Sequence, residues 1–126
     1  MKIDSRAVDG ISVLDINGRL TLGEDTAAFR RAIGELVADG HKKVLLNLHD
    51  VPYMDSSGLG ELVASFTRIR NSGGELKLMN LSTKIRTLLH ITKLYTLFDV
   101  QDDETSAIRS FSVSVGPTSP ATVTRG

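Results

Sequence analysis

The apolar positions of this chain change period several times. Ile3–Ala7 and Ile11–Ile16 read as extended segments, and Val8-Asp9-Gly10 between them carries the Asp-Gly pair that favours a tight turn, so a β-hairpin is expected to open the fold. Gly18 interrupts the pattern, and Arg19-Leu20-Thr21-Leu22 is short and extended. Gly23-Glu24-Asp25-Thr26 is polar enough to start a helix, with Asp25 or Thr26 as the expected cap. Phe29, Ile33, Leu36 and Val37 then recur at helical spacing until Asp39-Gly40, where glycine is the expected stop.

Val44-Leu45-Leu46-Asn47-Leu48 is nearly continuous in apolar character, the signature of a strand covered on both faces, and is read as the central strand. A second helical stripe, Leu59, Leu62, Val63, Phe66 and Ile69, begins inside Asp55-Ser56-Ser57-Gly58 and ends near Asn71-Ser72-Gly73-Gly74. Glu75–Met79 alternates like a further strand. Leu81-Ser82-Thr83 can cap a third helix carrying Ile85, Leu88 and Leu89. Leu97-Phe98-Asp99-Val100 is a short strand candidate, and Asp102-Asp103-Glu104 opens a last helix with Ala107, Ile108 and Phe111 on its apolar face. The pattern predicts one α/β domain over residues 1–111. Residues 112–126 are mostly Ser, Thr, Pro, Gly and isolated Val, too poor in apolar mass to offset the entropy of ordering, and are expected to form a disordered tail.

Composition narrows the field. The chain has 126 residues, 15 Lys+Arg against 15 Asp+Glu, and no Cys, which excludes disulfides, a thiol nucleophile and Cys-ligated metal sites. A zero net charge gives no broad field for holding nucleic acid or an anionic membrane. No apolar run approaches the roughly 20 residues that cross a bilayer, and no secretory signal follows Met1-Lys2-Ile3-Asp4-Ser5-Arg6, so a cytoplasmic location is expected.

Few residues suggest chemistry. His41, His49 and His90 have no metal-ligand spacing, and no cofactor is expected. Ser56 lacks the Gly-x-Ser-x-Gly setting of a hydrolase nucleophile, and Gly58 and Gly60 are followed by Glu61 and Leu62 rather than a phosphate-cradling lysine. What stands out is Val51-Pro52-Tyr53-Met54-Asp55-Ser56-Ser57-Gly58-Leu59-Gly60, a hydroxyl pair between a buried-type strand and a helix start. The positive end of a helix dipole tolerates an added phosphate, and a phosphoserine brings about −1.5 to −2 charges to a surface that a partner must desolvate. Spacing alone favours the plainer reading, with Ser56 as a helix cap, Asp55 as a turn acid, and Gly58 and Gly60 as small residues for close helix–sheet packing.

The hairpin, Gly18-Arg19-Leu20, the first helix, Val44–Leu48 and above all Tyr53-Met54-Asp55-Ser56-Ser57-Gly58-Leu59-Gly60 resemble the bacterial anti-sigma-factor antagonists, whose fold is called the STAS domain. The resemblance spans roughly residues 3–111. It implies a mixed central sheet with an N-terminal hairpin and about four helices, packed mainly on one face. It also implies a partner-switching protein. Unphosphorylated, such a protein captures an anti-sigma factor that is also a serine kinase, freeing the sigma factor. Phosphorylation ends the binding, and a serine phosphatase restores it. The phosphorylated serine would be Ser56, with Ser57 the less favoured neighbour. Asp55 would help orient the hydroxyl, and Ser57, Gly58 and Gly60 would support the switch loop. The surface near Leu20–Thr26, with Leu20, Thr21, Asp25 and Thr26 singled out, would form the partner footprint together with Tyr53, Met54 and the exposed side of the second helix. Such a protein is a substrate rather than an enzyme, with no direct nucleic-acid contact and no membrane insertion.

The chain departs from the family pattern in one place. Many members have Gly-x-Leu-Asp followed closely by Thr-Ala, whereas Thr21 stands here in place of the Asp and the loop to Thr26-Ala27 is about two residues longer. Asp25 can stand in for that acid, or the loop can read a different kinase. Two other readings are a non-switching STAS scaffold or accessory subunit of a signalling or transport complex, and a nucleotide-binding protein. The missing phosphate-binding lysine motif argues against the latter.

Overall fold

The computed structural model describes residues 1–115. β1 (Lys2–Val8) and β2 (Ile11–Asn17) form the expected hairpin, pairing antiparallel in unbroken register from Lys2↔Asn17 to Val8↔Ile11. Asp9 and Gly10 both have positive φ, 51° and 79°, as a two-residue turn that follows the strand twist requires. α1 (Glu24–Ala38) and β3 (Lys43–Asp50) follow, then α2 (Ser56–Asn71), β4 (Glu75–Met79), α3 (Thr83–Ile91), a 3-10 turn at Leu94–Thr96, β5 (Asp99–Gln101) and α4 (Glu104–Val115). The sheet order is β1-β2-β3-β4-β5, antiparallel only between β1 and β2.

Strand alternation divides the sheet into two buried faces. Leu14, Ile16, Val44, Leu46, Leu48, Leu76 and Leu78 share one core with Phe29 and Ile33 of α1, Leu62 and Ile69 of α2, and Ile85 and Leu89 of α3. Ile11, Val13, Leu45 and Met79 point the other way, against Ala107, Ile108 and Phe111 of α4. Three helices thus cover one face and α4 the other, which is why β3 reads as an almost continuous apolar run. The polar exception under α4 is Lys77, 7% exposed, with Nζ 3.0 Å from Asp99 Oδ2 and 3.0 Å from Ser110 Oγ. Arg6 ties β1 to α4 through Asp15 and Glu104. Hydrogen bonds from the guanidinium hold both carboxyls below their usual range, and the Arg6 pKa is raised in turn.

Three boundaries differ from expectation. α1 starts at Glu24, earlier than Asp25 or Thr26 as cap would allow. Gly23 is the cap residue, its carbonyl accepting from Ala27 N at 3.1 Å, while Thr26 Oγ1 reaches back to accept from Gly23 N at 3.3 Å. The last strand is Asp99–Gln101, displaced from Leu97–Val100. The 3-10 turn, entered through Lys93 at φ 62°, delivers Phe98 to the core, where its ring meets Phe66 edge-to-face at 5.5 Å. α4 runs to Val115, four residues past the domain end expected at 111, and the remainder of the expected tail lies outside the described residues.

Candidate functional site

Beyond the sheet, the chain segments that follow β2 and β3 are laced together by main-chain hydrogen bonds. The β2–β3 register shifts between Asp15 and Asn17. Pairing then resumes: Gly18 N donates to Asp50 O (3.0 Å), Leu20 N to Tyr53 O (3.0 Å) and Asp55 N to Leu20 O (3.3 Å), with a parallel bridge between Leu20 and Met54. Leu20 and Met54 are buried beneath this lacing, at 0% and 3% exposure. They hold the loops down and present no side chain to a partner, and Thr26 is buried as well.

Asp55 organises the corner. It is the N-cap of α2, and its Oδ1 accepts from Gly58 N at 2.8 Å. Its Oδ2 accepts from Leu22 N at 3.0 Å, so one carboxylate fixes both the helix start and the neighbouring loop. The Leu22 amide, and after it the Gly58 amide, hold its pKa below the usual carboxylate range. This differs from the role expected for Asp55. Its oxygens serve backbone amides, and the Ser56 hydroxyl has no hydrogen bond within the described residues. Ser56 is the first residue of α2, not its cap, and is exposed, whereas Ser57 is half-buried.

The two glycines of the motif have different environments. A Cβ on Gly58 would collide with the carbonyl oxygen of Leu20 and lie 3.0 Å from its carbonyl carbon and Cγ, so only glycine admits this approach. A Cβ on Gly60 would meet nothing within 4 Å, and Gly60 therefore has no part in close helix–sheet packing.

The loops beside Ser56 expose apolar and cationic side chains as well as Glu24. Leu22 is 76% exposed and Tyr53 38%, large values for such side chains. Arg19 lies 5.3 Å and Lys84 5.9 Å from the centre of the Tyr53 ring, within cation–π range, and neither has a carboxylate partner among the described residues. Thr21 Oγ1 donates to Asp25 Oδ2 at 3.2 Å, so the residue standing where the family pattern has an acid is bonded to the acid in the longer loop. Leu22 falls within the expected Leu20–Thr26 surface, whereas Arg19 and Lys84 lie outside the sequence-based footprint; Lys84 joins it from α3 through its contact with the Tyr53 ring.

The geometry therefore brings together an exposed hydroxyl at a helix start, a half-buried acid bound to two amides, and an apolar and cationic rim. A phosphate on Ser56 would sit where the Ser56 N–H has no acceptor within its own helix. The histidines do not converge here, and no cluster of three or more potential metal ligands occurs among the described residues.

Comparison with known proteins bears on this arrangement. The model of the STAS domain family matches residues 2–107. An anti-sigma-B factor antagonist of Bacillus subtilis is 47% identical over 53 residues, 42% of this chain and 49% of that protein. The match thus spans about half the length of that curated relative. A Thermotoga maritima crystal structure, provisionally described as an anti-sigma factor antagonist, superposes with a TM-score of 0.80 at 28% identity, covering 86% of this chain and 92% of that one. The Bacillus cell fate determinant SpoIIAA, solved in its phosphorylated form, shares the fold at a TM-score of 0.67 and 20% identity, covering 86% and 99% of the two chains.

Proposed function

The chain belongs to the STAS domain family, and from that premise we propose that it is an anti-sigma-factor antagonist working by partner switching. Unphosphorylated, it binds an anti-sigma factor that is also a serine kinase and so frees a sigma factor for transcription. Phosphorylation of Ser56 ends this binding, and a serine phosphatase restores it. The observation that carries the reading is the Ser56 hydroxyl at the first residue of α2, exposed and without a hydrogen bond among the described residues, beside the exposed Leu22 and Tyr53. The names of similar proteins, anti-sigma factor antagonists, support the same partner class.

The chemistry follows from this placement. The Ser56 hydroxyl would attack the terminal phosphorus of the kinase-bound ATP, forming the Oγ–P bond as the bond to the ADP oxygen breaks, with the hydroxyl proton leaving to a base on the kinase. Asp55 contributes by holding the helix start and the Leu22 loop in one geometry, so that the hydroxyl is presented at a fixed place. Ser57, half-buried and one residue further into α2, is the poorer acceptor.

In the unmodified state the rim supplies affinity. Burying the exposed Leu22 side chain is worth about 1–2 kcal/mol, and Tyr53 with Arg19 and Lys84 forms an aromatic patch suited to a partner bearing carboxylates. A phosphate of about −1.5 to −2 charges beside that rim would oppose the local positive field and, unpaired in a closed interface, oppose association.

The test is incubation with the serine kinase of the same cell and ATP, followed by mass spectrometric localisation of the added phosphate. Phosphate on Ser56, abolished in Ser56→Ala, supports the reading. Binding to that kinase with no phosphate on Ser56 or Ser57 would replace it with a non-switching STAS scaffold.

A further inference from the structure

The two edges of the sheet are unlike. β5 is three residues long, whereas β1 is seven residues long, regular in register with β2, and free of proline or bulge. Edge strands with unpaired amides and carbonyls are normally shortened, kinked, charged or covered; β1 carries Lys2, Asp4 and Arg6 but is neither short nor kinked, and no other strand among the described residues pairs along its outer edge. We propose that the outer edge of β1 pairs with β1 of a second copy of this chain, antiparallel about a two-fold axis through Ser5, continuing one five-stranded sheet into the other.

The phase of the backbone selects the residues. In a hairpin closed by a two-residue turn, the pair flanking the turn exchanges both hydrogen bonds, and alternate pairs follow. The main-chain groups of Val8, Arg6, Asp4 and Lys2 therefore face β2, and those of Ile3, Ser5 and Ala7 face outward. With the axis on Ser5, Ser5 bonds to Ser5 of the second copy, and Ile3 and Ala7 bond to its Ala7 and Ile3. Every outward group of the strand is satisfied.

The side chains select the same register. On the α4 side of the sheet, β1 carries Lys2, Asp4, Arg6 and, packed against the core beneath α4, Val8. An axis on Ser5 sets Asp4 directly opposite Arg6 of the second copy, and Arg6 opposite its Asp4, in the closely spaced non-hydrogen-bonded positions. An axis on Asp4 would oppose Asp4 to Asp4 and Lys2 to Arg6, and an axis on Arg6 would oppose Arg6 to Arg6. Both juxtapose like charges. Axes on Ile3 or Ala7 shorten the paired stretch. The opposite side presents Ile3, Ser5 and Ala7, which carry no charge to oppose a neighbouring strand. The pairing is isologous, so it closes at two copies.

Sedimentation velocity on the full chain, from micromolar to millimolar concentration, tests the proposal. A concentration-dependent dimer that weakens with added salt is expected. Ser5→Pro removes an amide hydrogen that faces away from β2, a substitution an edge strand tolerates, and should leave the monomer folded by circular dichroism while abolishing the dimer. Asp4→Lys, which places a cation opposite Arg6, should raise the dissociation constant at least about tenfold. Because the chain has no Cys, Ser5→Cys gives a single thiol. Its Cα would lie about 5.5 Å from that of its counterpart, within disulfide reach, and it should oxidise to a covalent dimer much faster than Thr87→Cys on α3. A wild type that stays monomeric throughout overturns the proposal. So does a dimer indifferent to Asp4→Lys, or equal oxidation of the two Cys variants. None of these outcomes bears on phosphorylation of Ser56.

Discussion

Replacing Gly58 with alanine is expected to destabilise the protein, and replacing Gly60 two residues later is expected to stabilise it. Both lie in the first turns of α2, so the intrinsic gain in helix propensity, up to about 1 kcal/mol, is common to them. The difference is in what the new methyl meets. At Gly58 it falls on the Leu20 carbonyl, main chain held from both sides by the hydrogen bonds to Tyr53 and Asp55. Relieving that overlap means moving backbone, and overpacking of this kind costs about 1–3 kcal/mol. Because the overlap is with main chain rather than a flexible side chain, the upper half of that range applies, and subtracting the helix gain leaves a net loss of about 1–2 kcal/mol for Gly58→Ala. At Gly60 the methyl meets nothing within 4 Å, leaving a gain of about 0.5–1 kcal/mol. Urea denaturation separates the two. With m-values of about 1–3 kcal/mol per molar, the midpoints should differ by roughly 1 M, wild type lying between them. Because Leu20 would be displaced, Gly58→Ala should also weaken partner binding. A Gly58→Ala midpoint at or above wild type would refute the account of how the two loops are held.

Other outcomes follow from the same contacts. Asp55 is held below its usual pKa by the Leu22 and Gly58 amides. Above the unfolded value of about 4 it is ionised in both states and its contribution is complete; as pH falls through that value toward the folded one, the unfolded state takes up the proton first and stability drops. Asp15 and Glu104 shift in the same direction through Arg6, so stability should be flat near neutrality and decline below about pH 4. The decline should be shallower in Asp55→Asn and in Asp15→Asn, and equal slopes would contradict the assignment. Removing both cations at Tyr53, in Arg19→Ala with Lys84→Ala, should weaken kinase binding about 5- to 20-fold and flatten its salt dependence. Unchanged titration calorimetry at low and high salt would remove them from the footprint.

The elements that the sequence marks most clearly are those where pattern and packing agree. Val44–Leu48 is apolar throughout because helices cover both faces of β3, and Asp9-Gly10 sits in a turn whose two positive φ values suit that pair. Expectation missed where tertiary contacts decide. Thr26 has the chemistry of a cap but serves from inside α1, because Gly23 already supplies the first helical carbonyl. Phe98 reads as strand yet is drawn into the core beside Phe66 by the preceding 3-10 turn. At the site, Asp55, Ser56 and Gly58 were legible as a motif. That Asp55 binds the Leu22 amide is a contact across 33 residues, which no local pattern encodes. Leu20, Met54 and Thr26 belong to the motif's neighbourhood in sequence, but the lacing of the two loops buries them. The surface passes instead to Leu22, Tyr53, Arg19 and Lys84.

The central claim is that charge at Ser56 gates a protein interface. Its most direct measurement compares the affinity of the anti-sigma-factor kinase for the unmodified protein and for protein stoichiometrically phosphorylated on Ser56, by titration calorimetry in one buffer. The account predicts a loss of at least about 100-fold, or roughly 2.7 kcal/mol, with circular dichroism of the two forms superimposable. Equal affinities for a fully phosphorylated sample would contradict it.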